Sequence, residues 1–230
     1  MGAMVLRATI AVAAANFLGH AFAMSAKIDI IARSRLFDPK SHYVGPSRLD
    51  EFTAADWNLL AAQRPPYQAA LQASQALRLL AASKDDPSFG YHVNNYRHCV
   101  QAATLALADG RDDDYVVAAL LHDIGFIACP TSHGRFAAQL LAPYVDARIV
   151  WIVERHADFQ AHHYNEHPSA DRCARERWRG HPYFEAAAEF VQRYDQCTVD
   201  AGAVEAELST FEPILQRVFT RPPRALPPLP

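Results

Sequence analysis

AALLHDIGF, residues 118–126, is the stretch on which the fold reading turns. Ala118, Ala119, Leu120 and Leu121 suit a buried helix, and Ile124 and Phe126 resume the apolar run. Between them stand His122 and Asp123, an imidazole and a carboxylate set back to back. An unpaired buried carboxylate costs several kcal/mol even after relaxation, on the scale of a whole domain's stability margin. The pair belongs inside a core only if a cation offsets that cost, and a divalent metal is the simplest such cation.

Outward from this stretch the chain reads as helices. Periodic apolar segments predict helices over about 94–108, 113–124, 133–143, 147–158, 182–196 and 205–219. Asp112, Ser132 and Asp146 stand where N-caps belong, and Pro182 sits where a helix start tolerates proline. No alternating strand pattern and no glycine-rich phosphate loop appears. The fold expectation is all-α. Residues 67–220 form the main domain, preceded over 25–66 by an irregular arm with one short helix near 54–62. Ala, Leu and Gln then dominate from Tyr67 to Ser83, until SKDDPSFG (83–90) breaks the helix. The polar run HHYNEHPSADRCARERWRG (162–180) reads as a loop or lid, and RPPRALPPLP (221–230) is too proline-rich for regular structure.

Residues 1–24 carry one Arg, a short apolar stretch and an AFA before Met24. This segment reads as an upstream extension of a cytoplasmic protein starting at Met24. The alternative is a weak signal peptide of a secreted one. It is too short and too interrupted, by Asn16 and His20, to span a membrane. A formal net charge of -3 gives no electrostatic footprint for nucleic acid. The four cysteines form no CxxC pair and read as reduced packing residues. Oligomeric state is left open by the sequence.

The histidines crowd between His92 and His167. On helical wheels several of them interrupt apolar stripes. His133 precedes Phe136, Ala137, Leu140 and Leu141; His156 follows Ile149, Ile152 and Val153; Asp195 continues Phe184, Ala188 and Val191; His98 shares a face with Ala102 and Leu105. With His122 and Asp123 this gives six candidates for metal ligation: His98, His122, Asp123, His133, His156 and Asp195. Consecutive helical side chains diverge by roughly 100°, so His122 and Asp123 suit a two-ion site better than one ion. Asp123 would bridge with its two oxygens while His122 binds a single ion, and this pair is expected at the heart of the chemistry. Four imidazoles and two carboxylates suit iron, manganese or zinc, and not calcium.

The ordered pattern His98 … His122-Asp123 … His133 … His156 … Asp195 resembles the HD-domain superfamily of helical metal-dependent proteins. Within it, YRHCVQAA (96–103), LLHDIG (120–125) and HGRFAAQLL (133–141) are similar to the mixed-valent di-iron oxygenases of the phosphonate-cleaving and myo-inositol-oxidising kind. The resemblance implies an HD helical bundle with an Fe(II)/Fe(III) pair. His98, His122 and Asp195 with bridging Asp123 would hold one iron; Asp123, His133 and His156 would hold the other. It also implies a small polar substrate, dioxygen as co-substrate, oxidation of a C–H bond, and cleavage of a C–P or C–C bond. The alternatives are a metal-dependent phosphohydrolase acting on a nucleotide or phosphate ester, whose ligand set is much the same, and a non-catalytic binding module.

The chain departs from the phosphonate enzymes at Gln160, where they carry a substrate-binding lysine one turn after the last histidine. Their iron-covering tyrosine has no clear counterpart, with Ser88 falling nearest and Phe89 and Tyr91 beside it. Gln160, His163, Arg179 and His181 are the candidate substrate contacts, and Arg175 and Arg177 lie in the same basic run, CARERWRGHP (173–182). Asn94 and Asn95 are expected to cap the first ligand helix, Gln101 to support His98, and Glu154 and Arg155 to face solvent or pair locally.

Overall fold

The computed structural model describes residues 42–224. The expectations for residues 1–24, for the arm up to residue 41 and for the end of the tail lie outside them. The chain divides into two compact units at Arg64/Pro65. In the first, a 3-10 turn spans Leu49–Glu51. Thr53 then starts a helix reciprocally: Asp56 Oδ2 accepts from the Thr53 backbone N–H at 2.8 Å, and Thr53 Oγ1 accepts from the Asp56 N–H at 3.3 Å.

That helix, α1, runs Ala54–Ala81 through Pro65 and Pro66, in place of the expected short helix near 54–62 and separate stretch from Tyr67 to Ser83. Proline removes two amide donors there, but its fixed φ is close to helical. Residues 61–70 are all exposed, so water can satisfy the carbonyls left free. Beyond the prolines, α1 buries Ala73, Ala76 and Leu80, spaced to share one face.

The second unit continues with α2 (Asn95–Ala108), α3 (Asp113–Leu121), α4 (His133–Leu141), α5 (Ala147–Gln160), α6 (Phe184–Phe190) and α7 (Leu208–Phe219). A π-helical turn, Val191–Asp195, extends α6, and 3-10 turns at Ala161–His163 and Ala174–Trp178 interrupt the expected loop. The described residues contain no strand, so the architecture is all-α. None of their helices is long and apolar enough to cross a membrane.

α3 is the centre. Tyr115 through Leu121 are all buried, so this helix has no solvent face and must be surrounded. α2 and α7 pack on it, α4 packs on α5, and the π-helical turn lies against α2 and α5. Asn94, Asp112 and Asp146 cap their helices, accepting from the backbone N–H of Arg97 (3.1 Å), Tyr115 (2.9 Å) and Ile149 (2.9 Å). Ser132 makes no capping hydrogen bond, contrary to expectation; its φ of -149° and ψ of 25° lie off the usual cap geometry.

Two stripes are rotated from the sequence reading. α4 buries Gly134, Ala137, Ala138 and Leu141 and leaves Phe136 exposed. Small residues let α4 lie close on α5, and that close approach outweighs burying the larger ring. In α2 the buried face centres on Cys99, Ala102, Ala103 and Ala106, which puts Leu105 at its exposed edge. At the far end, the described start of the tail docks: the Arg224 backbone N–H donates to Pro143 O at 2.8 Å, and Arg221 pairs with Asp114.

Candidate metal centre

Four elements and one helix end deliver six polar side chains to a single interior point. α2 supplies His98, α4 its first residue His133, α5 His156, and the π-helical turn its last residue Asp195. His122 and Asp123 follow α3. The sequence reading carries that helix to Ile124, but it ends at Leu121, with His122 as its C-cap. Past it the chain turns by hydrogen bonds from Ile124 N–H to Leu121 O (3.1 Å) and from Phe126 N–H to Asp123 O (2.9 Å). The pair therefore occupies a helix end, where the backbone is free to aim both side chains inward.

Each imidazole is oriented through its Nδ1, which faces a backbone carbonyl: Thr198 O for His98 (3.2 Å), Ala119 O for His122 (2.9 Å), Pro130 O for His133 (3.0 Å) and Val153 O for His156 (2.7 Å). A carbonyl only accepts, so Nδ1 carries the proton and the neutral ring turns a bare Nε2 lone pair inward. Yet His98 Nε2 lies 3.0 Å from His122 Nε2, and His133 Nε2 lies 3.2 Å from His156 Nε2. Two lone pairs cannot face each other at that range without a proton or a metal ion between them.

Asp123 divides its carboxylate between these pairs. Oδ1 is 3.0 Å from His156 Nε2 and 3.2 Å from His133 Nε2; Oδ2 is 3.8 Å from His98 Nε2 and 4.0 Å from His122 Nε2. Asp195 Oδ1 stands 3.5 Å from His98 Nε2 and 3.9 Å from His122 Nε2, while its buried Oδ2 has no hydrogen-bond partner at all. His122, His156 and Asp195 are sealed from solvent, and His133 is the most open member. Three overlapping triads, His98–His122–Asp123, His122–His156–Asp195 and Asp123–His133–His156, each bring their donor atoms within 4.8 Å. The converging lone pairs, the orphaned Asp195 oxygen and the nitrogen-rich donor set all fit divalent metal.

The electrostatics without a cation are correspondingly uneven. Burial pushes His122 down to about 4. For His156 burial also opposes the charged form, but the hydrogen bond and charge of Asp123 overcome it and push the ring up to about 9. Burial disfavours the Asp123 carboxylate too, yet the surrounding imidazoles hold it well below the ordinary range. A proton on His156 thus does part of what a metal ion would do.

Three supporting contacts escaped the sequence reading. Asn95, expected as a cap, donates through Nδ2 to the Asp123 backbone oxygen at 3.0 Å and pins the turn that carries the pair. Thr198 Oγ1 lies 2.9 Å from His98 Nδ1 and donates to Asp195 O at 2.6 Å, tying two of the cluster's residues together. Gly134 lets α4 approach α5: a Cβ there would meet Val153 O at 2.8 Å and His156 Cε1 at 3.2 Å. Asn95 precedes His98 by one turn and Thr198 follows Asp195 by one, and that spacing is the signal by which they were open to discovery.

Other candidates lie elsewhere. Gln101 donates to Asp200 O (2.7 Å) and Glu205 Oε1 (2.8 Å), not to His98, because Glu205 and the chain near Asp200 pack against that face of α2. Arg179 forks onto Glu176 and covers the Phe184 ring, and Arg177 holds Ala174 O and Asp158. His181 stacks on Trp151 at 4.1 Å. These contacts commit Arg179, Arg177 and His181 to neighbours other than the His–Asp cluster. Arg175 reaches His162 Nε2 at 3.0 Å. His163 is partly buried in the turn after α5; burial, then His162 and Arg175, lower its proton affinity. Ser88 is half-buried, while Phe89 and Tyr91 are exposed. Glu154 and Arg155 form the expected local pair, at 3.0 Å.

Gln160 faces the cluster, but its amide is occupied. Nε2 donates to Asp195 Oδ1 at 2.6 Å, and Oε1 accepts from the Tyr164 hydroxyl.

A comparison with curated proteins gives no match. The HD domain family matches residues 95–196. That span opens at the first residue of α2 and closes just past Asp195, and it takes in all six converging side chains, so this part of the chain is similar to HD domains.

Proposed function

We propose that this HD-like domain holds two metal ions, an Fe(II)/Fe(III) pair, and uses dioxygen to oxidise a C–H bond of a small polar substrate, with cleavage of a C–P or C–C bond. The observation that carries the reading is the division of Asp123, with Oδ1 on His133 and His156 and Oδ2 on His98 and His122. One carboxylate serving two imidazole pairs is the geometry of a bridge. In this reading His98, His122 and Asp195 complete one position, while His133 and His156 complete the other.

The two positions differ in protein donors. The first has Asp195 in addition to its two imidazoles; the second has none beyond Asp123, so it keeps room for substrate and oxygen. His133 borders that open side, while His122 and Asp195 shut water out of the other position. When bound, the iron pair supplies the one-electron chemistry that activates dioxygen against a C–H bond. The chain's part is to hold Nδ1 protonated on each ring, to keep the Nε2 lone pairs converged and to keep Asp123 ionised. Borderline imidazole donors support iron among the metals that fit, as does the likeness of YRHCVQAA, LLHDIG and HGRFAAQLL to di-iron oxygenases.

Purification under anaerobic conditions tests this. About two irons per chain are expected, with a coupled mixed-valent EPR signal after partial oxidation and oxygen uptake that depends on a small phosphonate or polyol. Turnover of nucleotides or phosphate esters with manganese, cobalt or zinc in the absence of oxygen would replace the oxygenase with a phosphohydrolase, in which the two ions activate water for attack on phosphorus.

A further inference from the structure

We infer that Gln160 and Tyr164 are a positioning pair that holds the Asp195 carboxylate in place at its metal position. The inference rests on the metal-centre reading above and adds residues that this reading does not require. Asp195 is fully buried, so both carboxylate oxygens need partners from the protein or from a bound ion. Oδ1 has one, the Gln160 amide at 2.6 Å; Oδ2 has none. The asymmetry is directional. An amide N–H holds Oδ1, the oxygen that also stands 3.5 Å from His98 Nε2 and 3.9 Å from His122 Nε2, and so fixes the rotation of the carboxylate toward that imidazole pair.

The amide cannot flip without loss. A carboxylate only accepts, so the –NH2 end must face Asp195, and the Tyr164 hydroxyl donates to the remaining Oε1. Gln160 closes α5 one turn after His156, and Tyr164 caps the following 3-10 turn one turn later. α5 thus delivers His156 to one metal position and, through Gln160, sets the carboxylate of the other. Tyr164 is 37% exposed, so the relay runs from the surface to the sealed oxygen in two hydrogen bonds. With Nε2 and Oε1 each engaged within the protein, Gln160 is a positioning residue.

The test is metal release. The iron-loaded protein is mixed with excess of a chromogenic ferrous chelator, and loss of each ion is followed in the wild type, Gln160→Leu and Tyr164→Phe, alongside circular dichroism of the metal-free forms. Gln160→Leu keeps the side-chain bulk and removes both hydrogen bonds. Release is expected to become biphasic, with one ion leaving about 10–100-fold faster and the other near the wild-type rate. Tyr164→Phe is expected to speed the same phase by about fivefold. Equal release of both ions at the wild-type rate in both variants would overturn the inference while leaving the metal centre standing. A wild type that takes up no metal would remove the centre itself. If Gln160→Leu fails to fold, Tyr164→Phe at a partly exposed site decides the matter, and an unchanged fast phase there counts against the pair.

Discussion

Asp123→Ala is expected to leave a folded protein that retains neither metal ion and has lost turnover by more than about 100-fold, since even a residue supporting a ligand from outside is worth 10–100-fold. Asp123 is the one carboxylate within reach of all four imidazoles. Its removal takes a donor from both positions at once, and it also strips His156 of the partner that lets that ring carry charge in the interior. The fold should tolerate the change. Asp123 stands in a turn past α3, and its backbone oxygen, not its side chain, receives the Asn95 amide. His133→Ala provides the contrast, because His133 reaches only Oδ1 and its loss should unseat one ion. Metal analysis of both variants beside the wild type is the measurement. An Asp123→Ala protein that keeps one ion per chain would show that the carboxylate does not bridge.

Gly134→Val is expected to destabilise the protein by about 1–3 kcal/mol, a fall in Tm on the order of 3–10 °C for a chain of this size. The cost has a definite origin. Even a single Cβ would press on Val153 O at 2.8 Å and Glu154 O at 3.1 Å, and backbone oxygens inside α5 have nowhere to go. α4 must move off α5, carrying His133 away from His156. Metal binding should therefore weaken together with stability, although residue 134 touches no ion in the proposed centre. Thermal unfolding with and without added ferrous ion separates the two effects. Destabilisation with unchanged metal affinity would mean that the helices shift without separating the histidines.

The His–Asp cluster was legible in sequence because its cost is chemical. A His, an Asp or a His-Asp pair on an apolar stripe stands out against Ala and Leu, and His98, His122, Asp123, His133, His156 and Asp195 do converge. The starts of α2, α3 and α5 were legible for a related reason, since caps at Asn94, Asp112 and Asp146 leave a local signature. What escaped notice depends on distance in space. Phe136 looks like core until one sees that small residues draw α4 against α5. The contact of Gln160 with Asp195 likewise joins residues far apart in the chain. The end of α3 at Leu121 carries no glycine or proline to announce it. Pro65-Pro66 announces a break that an exposed helix absorbs.

The π-helical turn at Val191–Asp195 ties the centre to chain length. Its wide ring is closed by Gln196 N–H on Val191 O at 3.0 Å, a loop one residue larger than an α-helical turn. That surplus residue sets which side chain is dialled into the interior. Were the same residues wound as regular α-helix, Asp195 would turn by roughly 100° and Tyr194 would take its place, a phenol in place of an anion. Whether the carboxylate reaches the cluster is thus a question of register as much as of residue identity, and the surplus residue of the wide turn holds that register.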